Sequence, residues 1–360
     1  MNPEFRDLRP VEQAECLDLW ARVFSPSHDY FERYFQDPLW QPRYTRVCAV
    51  DGKLVAAMQV VRRPVRLPDA QTLWMAGIAN VATLPEYRGH GYASQLLLDL
   101  HQVMDANDFA FGLLFTGIHG FYGRHGWERL PLPLYRAMPA PVDLLGWRFR
   151  VAEPSDLPAI QRWYDAFYTD HPLSVARDDA YWRIWTRWDD PNWRNKFYIA
   201  EDSNGVARGY VALETHYTTD SHGNRVVRAI SLAELGCESG DTDTQRALIG
   251  FASQTAHLAG ASLEIYLPET DIQRFARPLL PDVQWLGQGS AMARVCCWES
   301  IYDALERLST PAPENLAALG QAGALALLFG LPAPERATIP PHLRERYPTR
   351  LACYSPIDSF

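Results

Sequence analysis

Residues 84–93 read Leu84-Pro85-Glu86-Tyr87-Arg88-Gly89-His90-Gly91-Tyr92-Ala93. Glycines at 89 and 91 let the backbone turn sharply and aim successive N–H groups into one concavity. A helix starting just beyond adds unsatisfied donors and the positive end of a dipole. That combination suits a phosphate or pyrophosphate, although a glycine-rich turn without a ligand explains Gly-x-Gly alone equally well. Two phosphate loops are tested and excluded. A Walker loop needs Gly-Lys-Ser/Thr, and Gly52-Lys53 is followed by Leu54. A dinucleotide fingerprint wants a third glycine where Ser94 stands and an acid closing the next strand, and residues 109–116 contain none. A second chemical stretch is Phe121-Tyr122-Gly123-Arg124-His125-Gly126-Trp127, a phenol among glycine turns. No His-Glu-x-x-His and no Cys-x-x-Cys occurs, so no metal is expected. Cys296 and Cys297 read as buried strand thiols, and Trp182, Trp185 and Trp188 as a packed helix face.

The elements around these stretches are set by periodicity. Residues 73–83 form a strand-like run. From Ala93 onward Leu96, Leu97, Leu100, Val103 and Met104 recur at three and four residues, the stripe of an amphipathic helix. A strand over 109–116 and a short helix near Gly120 complete the series, and strands alternating with helices indicate α/β layering. The pattern then repeats. Phe5-Arg6-Asp7-Leu8-Arg9 and Phe149-Arg150-Val151-Ala152-Glu153 each open a helical stretch followed by a hairpin, with turns at Asp51-Gly52 and at Asp202-Ser203-Asn204-Gly205. A tandem duplication is therefore expected, with its seam in Met138-Pro139-Ala140-Pro141. The divisions are 1–140, 146–295 and a C-terminal segment 296–360 of helix and extended chain.

Arg88-Gly89-His90-Gly91-Tyr92-Ala93 resembles the acyl-CoA pyrophosphate loop of the GNAT N-acetyltransferases, Gln/Arg-x-x-Gly-x-Gly/Ala. Residues 121–127 resemble the Phe-Tyr-x-x-x-Gly-aromatic motif of the same family. With the tandem arrangement, the chain resembles the Eis-like subgroup, two GNAT-like mixed sheets flanked by helices and joined to a C-terminal sterol-carrier-like domain. Here the remaining segment is short enough only for a reduced version. The resemblance implies that Val81 and Thr83 hold the pantetheine arm of acetyl-CoA by backbone hydrogen bonds. The N–H groups of Arg88, Gly89, His90, Gly91 and Tyr92 would take the pyrophosphate. Tyr122 would protonate the departing thiolate, a sound role because attack of an amine on a thioester expels a sulfur anion. Residues 75–83 carry no acid to serve as base. In the Eis-like group the terminal carboxylate takes that role, and here it would be that of Phe360. Phe24, His28, Asp29 and Tyr30 stand where family members line the acceptor cleft. In the second repeat, residues 237–246 hold one glycine and three acids, which would repel a pyrophosphate. The second unit is expected to be degenerate and structural.

Composition bounds the partners. Thirty-four basic against 43 acidic side chains over 360 residues leave a net charge of −9, with 47% hydrophobic positions. Those proportions exclude disorder, collagen and coiled coil, and the acidity argues against nucleic acid and anionic membranes. A small-molecule amine or peptide amine is the expected acceptor. The N-terminus lacks a signal-peptide pattern, and the longest apolar stretch, 323–331, is too short for a membrane span, so a cytoplasmic protein is expected. The family resemblance allows a homo-oligomer. An acyltransferase is the leading reading; the alternatives are a non-catalytic acyl-CoA-binding module and a transferase with another acyl donor or acceptor.

Overall fold

A computed structural model of the chain describes residues 2–25, 28–68, 71–308, 316–331, 339, 340 and 358. The first repeat runs β1 (Pro3–Asp7), α1 (Gln13–Phe24), α2 (His28–Gln36), β2 (Thr45–Val50), β3 (Lys53–Arg66), β4 (Thr72–Thr83), α3 (Tyr92–Asp105), β5 (Phe109–Phe115), α4 (His119–Gly123), β6 (Glu128–Arg129) and β7 (Tyr135–Ala137). The second runs β8 (Arg148–Val151), α5 (Leu157–Tyr168), α6 (Asp179–Ile184), α7 (Pro191–Arg194), β9 (Phe197–Glu201), β10 (Ala207–Thr219), β11 (Arg225–Cys237), α8 (Thr242–Leu258), β12 (Ser262–Ile265), α9 (Glu269–Asp271), β13 (Gln284–Trp285) and β14 (Ala291–Val295). Helices α10 (Trp298–Leu308) and α11 (Gly320–Leu328) come last. Only part of 296–360 is described, so the sterol-carrier-like character expected of it rests largely on residues outside the described set.

The hairpin β2–β3 turns at Asp51 and Gly52, both at positive φ (50° and 82°), with Val50 paired to Lys53. A two-residue turn of that hand matches the twist of the strands it joins. Apolar residues alternate across the first sheet and build two cores. Val47, Ala49, Ala57 and Val61 face Leu19, Trp20 and Phe31 of α1 and α2. Cys48, Val50 and Val60 face Leu96, Leu97, Leu100 and Met104 of α3. The stripe read from the sequence is therefore the buried face of α3. Each large aliphatic or aromatic core side chain removed from water contributes about 1.5–3 kcal/mol toward holding these layers.

The two sheets have seven strands each and the same plan, β1-β2-β3-β4-β5-β14-β6 and β8-β9-β10-β11-β12-β7-β13. They exchange one strand. β7 leaves the first repeat to pair with β12, and β14 returns from the second to pair with β5. Segment 173–176 also lies along the end of β3, where Leu173 N–H donates to Arg66 O and Ala176 N–H to Pro64 O, both at 2.8 Å. Every such bond ties one repeat to the other.

Two expectations are adjusted. Cys296 and Cys297 are half-buried and come after β14, their N–H groups both directed at Ala110 O, so they are not strand thiols. Trp182, Trp185 and Trp188 are all buried, but α6 ends at Ile184, so they line a helix and the turn after it. No helix among the described residues is long and apolar enough to cross a membrane.

Gly112 on β5 shows why the sheet tolerates no side chain there. A Cβ would stand 2.6 Å from both Met104 Cε and Trp127 Cη2. Met104 can swing away, whereas Trp127 is held by its Nε1–H donating to His101 Nε2 at 2.9 Å. Gly112→Ala should cost about 1–3 kcal/mol by overpacking, read as a lower melting temperature in a thermal scan. An unchanged melt would mean that Trp127 is free to move.

Candidate active site

β4 and β5 run parallel from Trp74↔Phe109 to Gly77↔Leu113, and there the ladder stops. Residues 78–83 continue along β3 alone. The divergence has a local cause. Asn80 sits at φ 53°, at a register shift opposite β3, with its Nδ2 donating to Gln59 Oε1 at 3.2 Å. A bulge adds a residue and bends the strand that carries it. The β5-facing edge of residues 78–83 thus has no ladder partner, and Val81 and Thr83 are half-buried along it.

Leu84 N–H still donates to Val55 O, at 2.9 Å, and the chain then leaves the sheet through a single turn, Pro85–Tyr87. Gly89 and Gly91 come next at φ 82° and 80°. Gly91 is the N-cap of α3 and offers no side-chain acceptor, so the first N–H groups of the helix are left for an outside partner. A Cβ built on either glycine would meet nothing within 4 Å, so the ground in front of them is open. The flanking side chains brace the loop. Arg88 Nε donates to Thr83 O at 3.2 Å, and the His90 ring stacks on buried Tyr92 at 5.5 Å. A pyrophosphate fits this cradle.

The second repeat has the same glycine and a different cap. Gly240 stands at φ 78°, but α8 begins on Asp241, whose carboxylate accepts from Thr244 N–H at 3.1 Å and from Thr244 Oγ1 at 2.7 Å. A carboxylate already occupies the helix end that an anionic ligand would need.

Tyr122 lies on α4, just past the end of β5. Its ring is buried, edge-on to Phe121 at 4.9 Å and to Trp127 at 6.4 Å. Burial pushes its phenol up to about 12, so the group keeps its proton through the neutral and mildly alkaline range. The hydroxyl makes no hydrogen bond among the described residues. Beneath it, burial holds His101 down at about 4, the neutral form that the Trp127 N–H requires as acceptor.

The acceptor set divides. α1 and α2 pack on the sheet face opposite α3, and Arg22 near the end of α1 reaches Glu86 of the loop at 3.0 Å. Phe24 is exposed, as are His28 and Asp29, and His28 Nε2 lies 3.0 Å from Asp18 Oδ1. Tyr30 is half-buried under the Arg33 guanidinium, 4.3 Å from its ring centroid. Reading the sequence missed what lies inward. Arg63 of β3 is fully buried and donates to Asp37 Oδ2 at 2.9 Å, an oxygen it shares with Trp185 Nε1 at 2.9 Å. The guanidinium stacks on Trp185 at 3.8 Å and faces Tyr181 at 5.0 Å. No local spacing signals this group, because its halves come from different repeats. Phe360 lies outside the described residues. Among the described residues, no cluster of His, Cys, Asp and Glu could hold a metal ion.

A splayed parallel pair followed by an uncapped glycine loop thus lies in the first repeat. Residues 4–130 match the model of the acetyltransferase (GNAT) domain. The chain carries a GNAT acetyltransferase domain and is an acyltransferase. A search of curated proteins finds no match. Among solved structures, a probable N-acyltransferase from Enterococcus faecalis V583 is similar at 19% identity and a TM-score of 0.62, covering 86% of this chain and 76% of that one. Eis1 from Mycobacterium abscessus is similar at 17% identity and 0.56, covering 84% and 76%. A GCN5-related N-acetyltransferase from Kribbella flavida is similar at 18% and 0.57, covering 82% and 71%. At these identities the likeness is one of fold, and the fold is the tandem GNAT arrangement.

Proposed function

We propose that the first repeat transfers an acetyl group from acetyl-CoA to an amine by direct attack of the amine nitrogen on the thioester. The observation that carries this reading is the contrast between the two helix ends: α3 begins on Gly91 with its N–H groups uncommitted, while α8 begins on Asp241 with its cap filled. Arg88, Gly89, His90, Gly91 and Tyr92 bind the pyrophosphate through the loop and helix N–H groups. Val81 and Thr83 orient the pantetheine arm on the open edge of β4. The second repeat binds no donor and braces the first.

In the transfer step a nitrogen–carbon bond forms and the carbon–sulfur bond breaks. Tyr122 gives its hydroxyl proton to the leaving sulfur, and its buried ring keeps water from competing for that site. The incoming ammonium first loses one proton to a base to become the nucleophilic amine, and the second proton shed as the amide forms returns to Tyr122. Residues 72–83 contain no acid, and we assign the base to the terminal carboxylate at Phe360. Phe24, His28, Asp29 and Tyr30 form the outer wall that receives the amine, where Asp29 favours a cation.

Direct attack requires both substrates on the enzyme at once. Initial rates with both concentrations varied should give intersecting lines, and acetyl-CoA alone should leave the intact mass of the protein unchanged. Parallel lines together with an acetylated enzyme would replace direct attack by a covalent intermediate.

A further inference from the structure

Helix α2 buries a cation that no anion among the described residues faces. Arg33 is 7% exposed, and its guanidinium lies against three rings, Tyr30 at 4.3 Å, Trp185 at 5.1 Å and Tyr34 at 5.2 Å. Asp37, one turn on, is already committed: Oδ2 accepts from Arg63 Nη1 and from Trp185 Nε1, and Oδ1 from Leu39 N–H, all at 2.9 Å. Asp29, one turn back, is exposed and makes no ion pair with Arg33. The Tyr34 hydroxyl stands beside the guanidinium, but burial raises that phenol above its ordinary range and keeps it neutral. Arg33 Nε is buried without an acceptor.

Aromatic rings attract a guanidinium through its face and leave the donors in its plane unsatisfied. Burying such donors destabilises a fold unless something accepts from them. Arg63 makes the contrast, since it also stacks on Trp185, at 3.8 Å, and has Asp37 as its partner. Two guanidiniums thus share one indole, with one carboxylate in hydrogen-bond reach. Their place in the sheet bears on the reaction. Arg63 pairs with Met75 of β4, two residues before Gly77, the rung at which β4 and β5 part. Two residues of strand span about 7 Å. The cluster therefore lies a short way along the sheet from the splay, behind the wall to which Tyr30 belongs.

We infer that Arg33 is a receptor for a carboxylate carried by the acceptor itself. The acceptor class is then an amine with an acid about 7 Å from its nitrogen, by the strand span above, as in an ω-amino acid. The nitrogen reaches the splay, and the acid takes the in-plane donors of Arg33 between the rings of Tyr30 and Trp185, where a guanidinium fork suits a carboxylate. Arg33 determines specificity and takes no part in bond making. The inference rests on the proposed transfer to an amine at the splay of the first sheet.

The test uses three probes built on one chain length: 6-aminohexanoate, hexylamine, which lacks the acid, and hexanoate, which lacks the amine. In the parent, kcat/KM for 6-aminohexanoate should exceed that for hexylamine at least tenfold, and hexanoate should bind in a calorimetric titration. Arg33→Gln should lower kcat/KM for 6-aminohexanoate tenfold or more and weaken hexanoate binding to match, with the hexylamine rate and the acetyl-CoA dissociation constant within twofold of the parent. Arg33→Lys keeps the charge and loses the fork, so it should fall between the two; should Arg33→Gln not fold, the same comparison is made with Arg33→Lys. Equal kcat/KM for the two amines in the parent would overturn the inference and leave amine acetylation standing. A fall for both amines alike in Arg33→Gln would make Arg33 a brace of the site and overturn it too. Turnover of neither amine would count against the proposed transfer, and hexanoate binding then decides this inference by itself: binding lost in Arg33→Gln supports the carboxylate site, whereas binding absent from the parent, or unchanged in the variant, overturns it.

Discussion

Tyr122→Phe should lower kcat by ~10²–10⁴-fold while acetyl-CoA binds nearly as before, the loss typical of a removed general acid. The change deletes one oxygen from a ring that packs edge-on to Phe121 and Trp127. Because that oxygen has no hydrogen-bond partner among the described residues, its removal strands no buried donor or acceptor, and the melting temperature should hold. The phenol lies up near 12, so no limb of the pH–rate profile below pH 11 should belong to Tyr122. Steady-state kinetics at several pH values checks both points. A variant with the parent kcat would leave water, or the ammonium product, as the proton donor.

Gly91→Asp should all but abolish acetyl-CoA binding. The new carboxylate would stand at the N-terminus of α3, the position Asp241 holds on α8, and would cap the N–H groups that a pyrophosphate needs. Losing one or two charge-assisted hydrogen bonds of ~1.5–3 kcal/mol each, with like-charge repulsion added, gives an affinity loss on the order of 10³-fold. The open space in front of Gly91 means that no clash accompanies the change, and the positive φ of 80° is one that Asp tolerates better than most residues. Gly240→Asp in the second repeat should leave binding untouched. Calorimetric titration of both variants separates the two loops; equal effects would show that the repeats share the donor.

Much of this site was legible in the sequence because its signals are local. The glycines at 89 and 91 sit at the positive φ their positions require, and the leucines of α3 recur with the period of the face they bury. The acids after Cys237 were read as repelling a pyrophosphate, and Asp241 gives that reading a geometric cause, since it fills the cap. What escaped was everything that depends on long-range pairing. β7 and β14 are short strands that carry no mark of which sheet they join. Arg63 and Trp185 meet across the repeats, as do Arg177 and Asp358 across 181 positions. A charged residue at these places reads as solvated surface until the partner that buries it is known.

Amine-dependent release of the coenzyme A thiol from acetyl-CoA, followed with a thiol reagent across a panel of small-molecule and peptide amines, tests the assigned activity most directly. At least one amine should accelerate thiol release well above the rate with acetyl-CoA alone, with acetylated amine formed in equal amount and both lost in Tyr122→Phe. Tight acetyl-CoA binding with no amine-dependent release from any member of the panel would contradict it and leave a donor-binding module in place of an enzyme acting on amines.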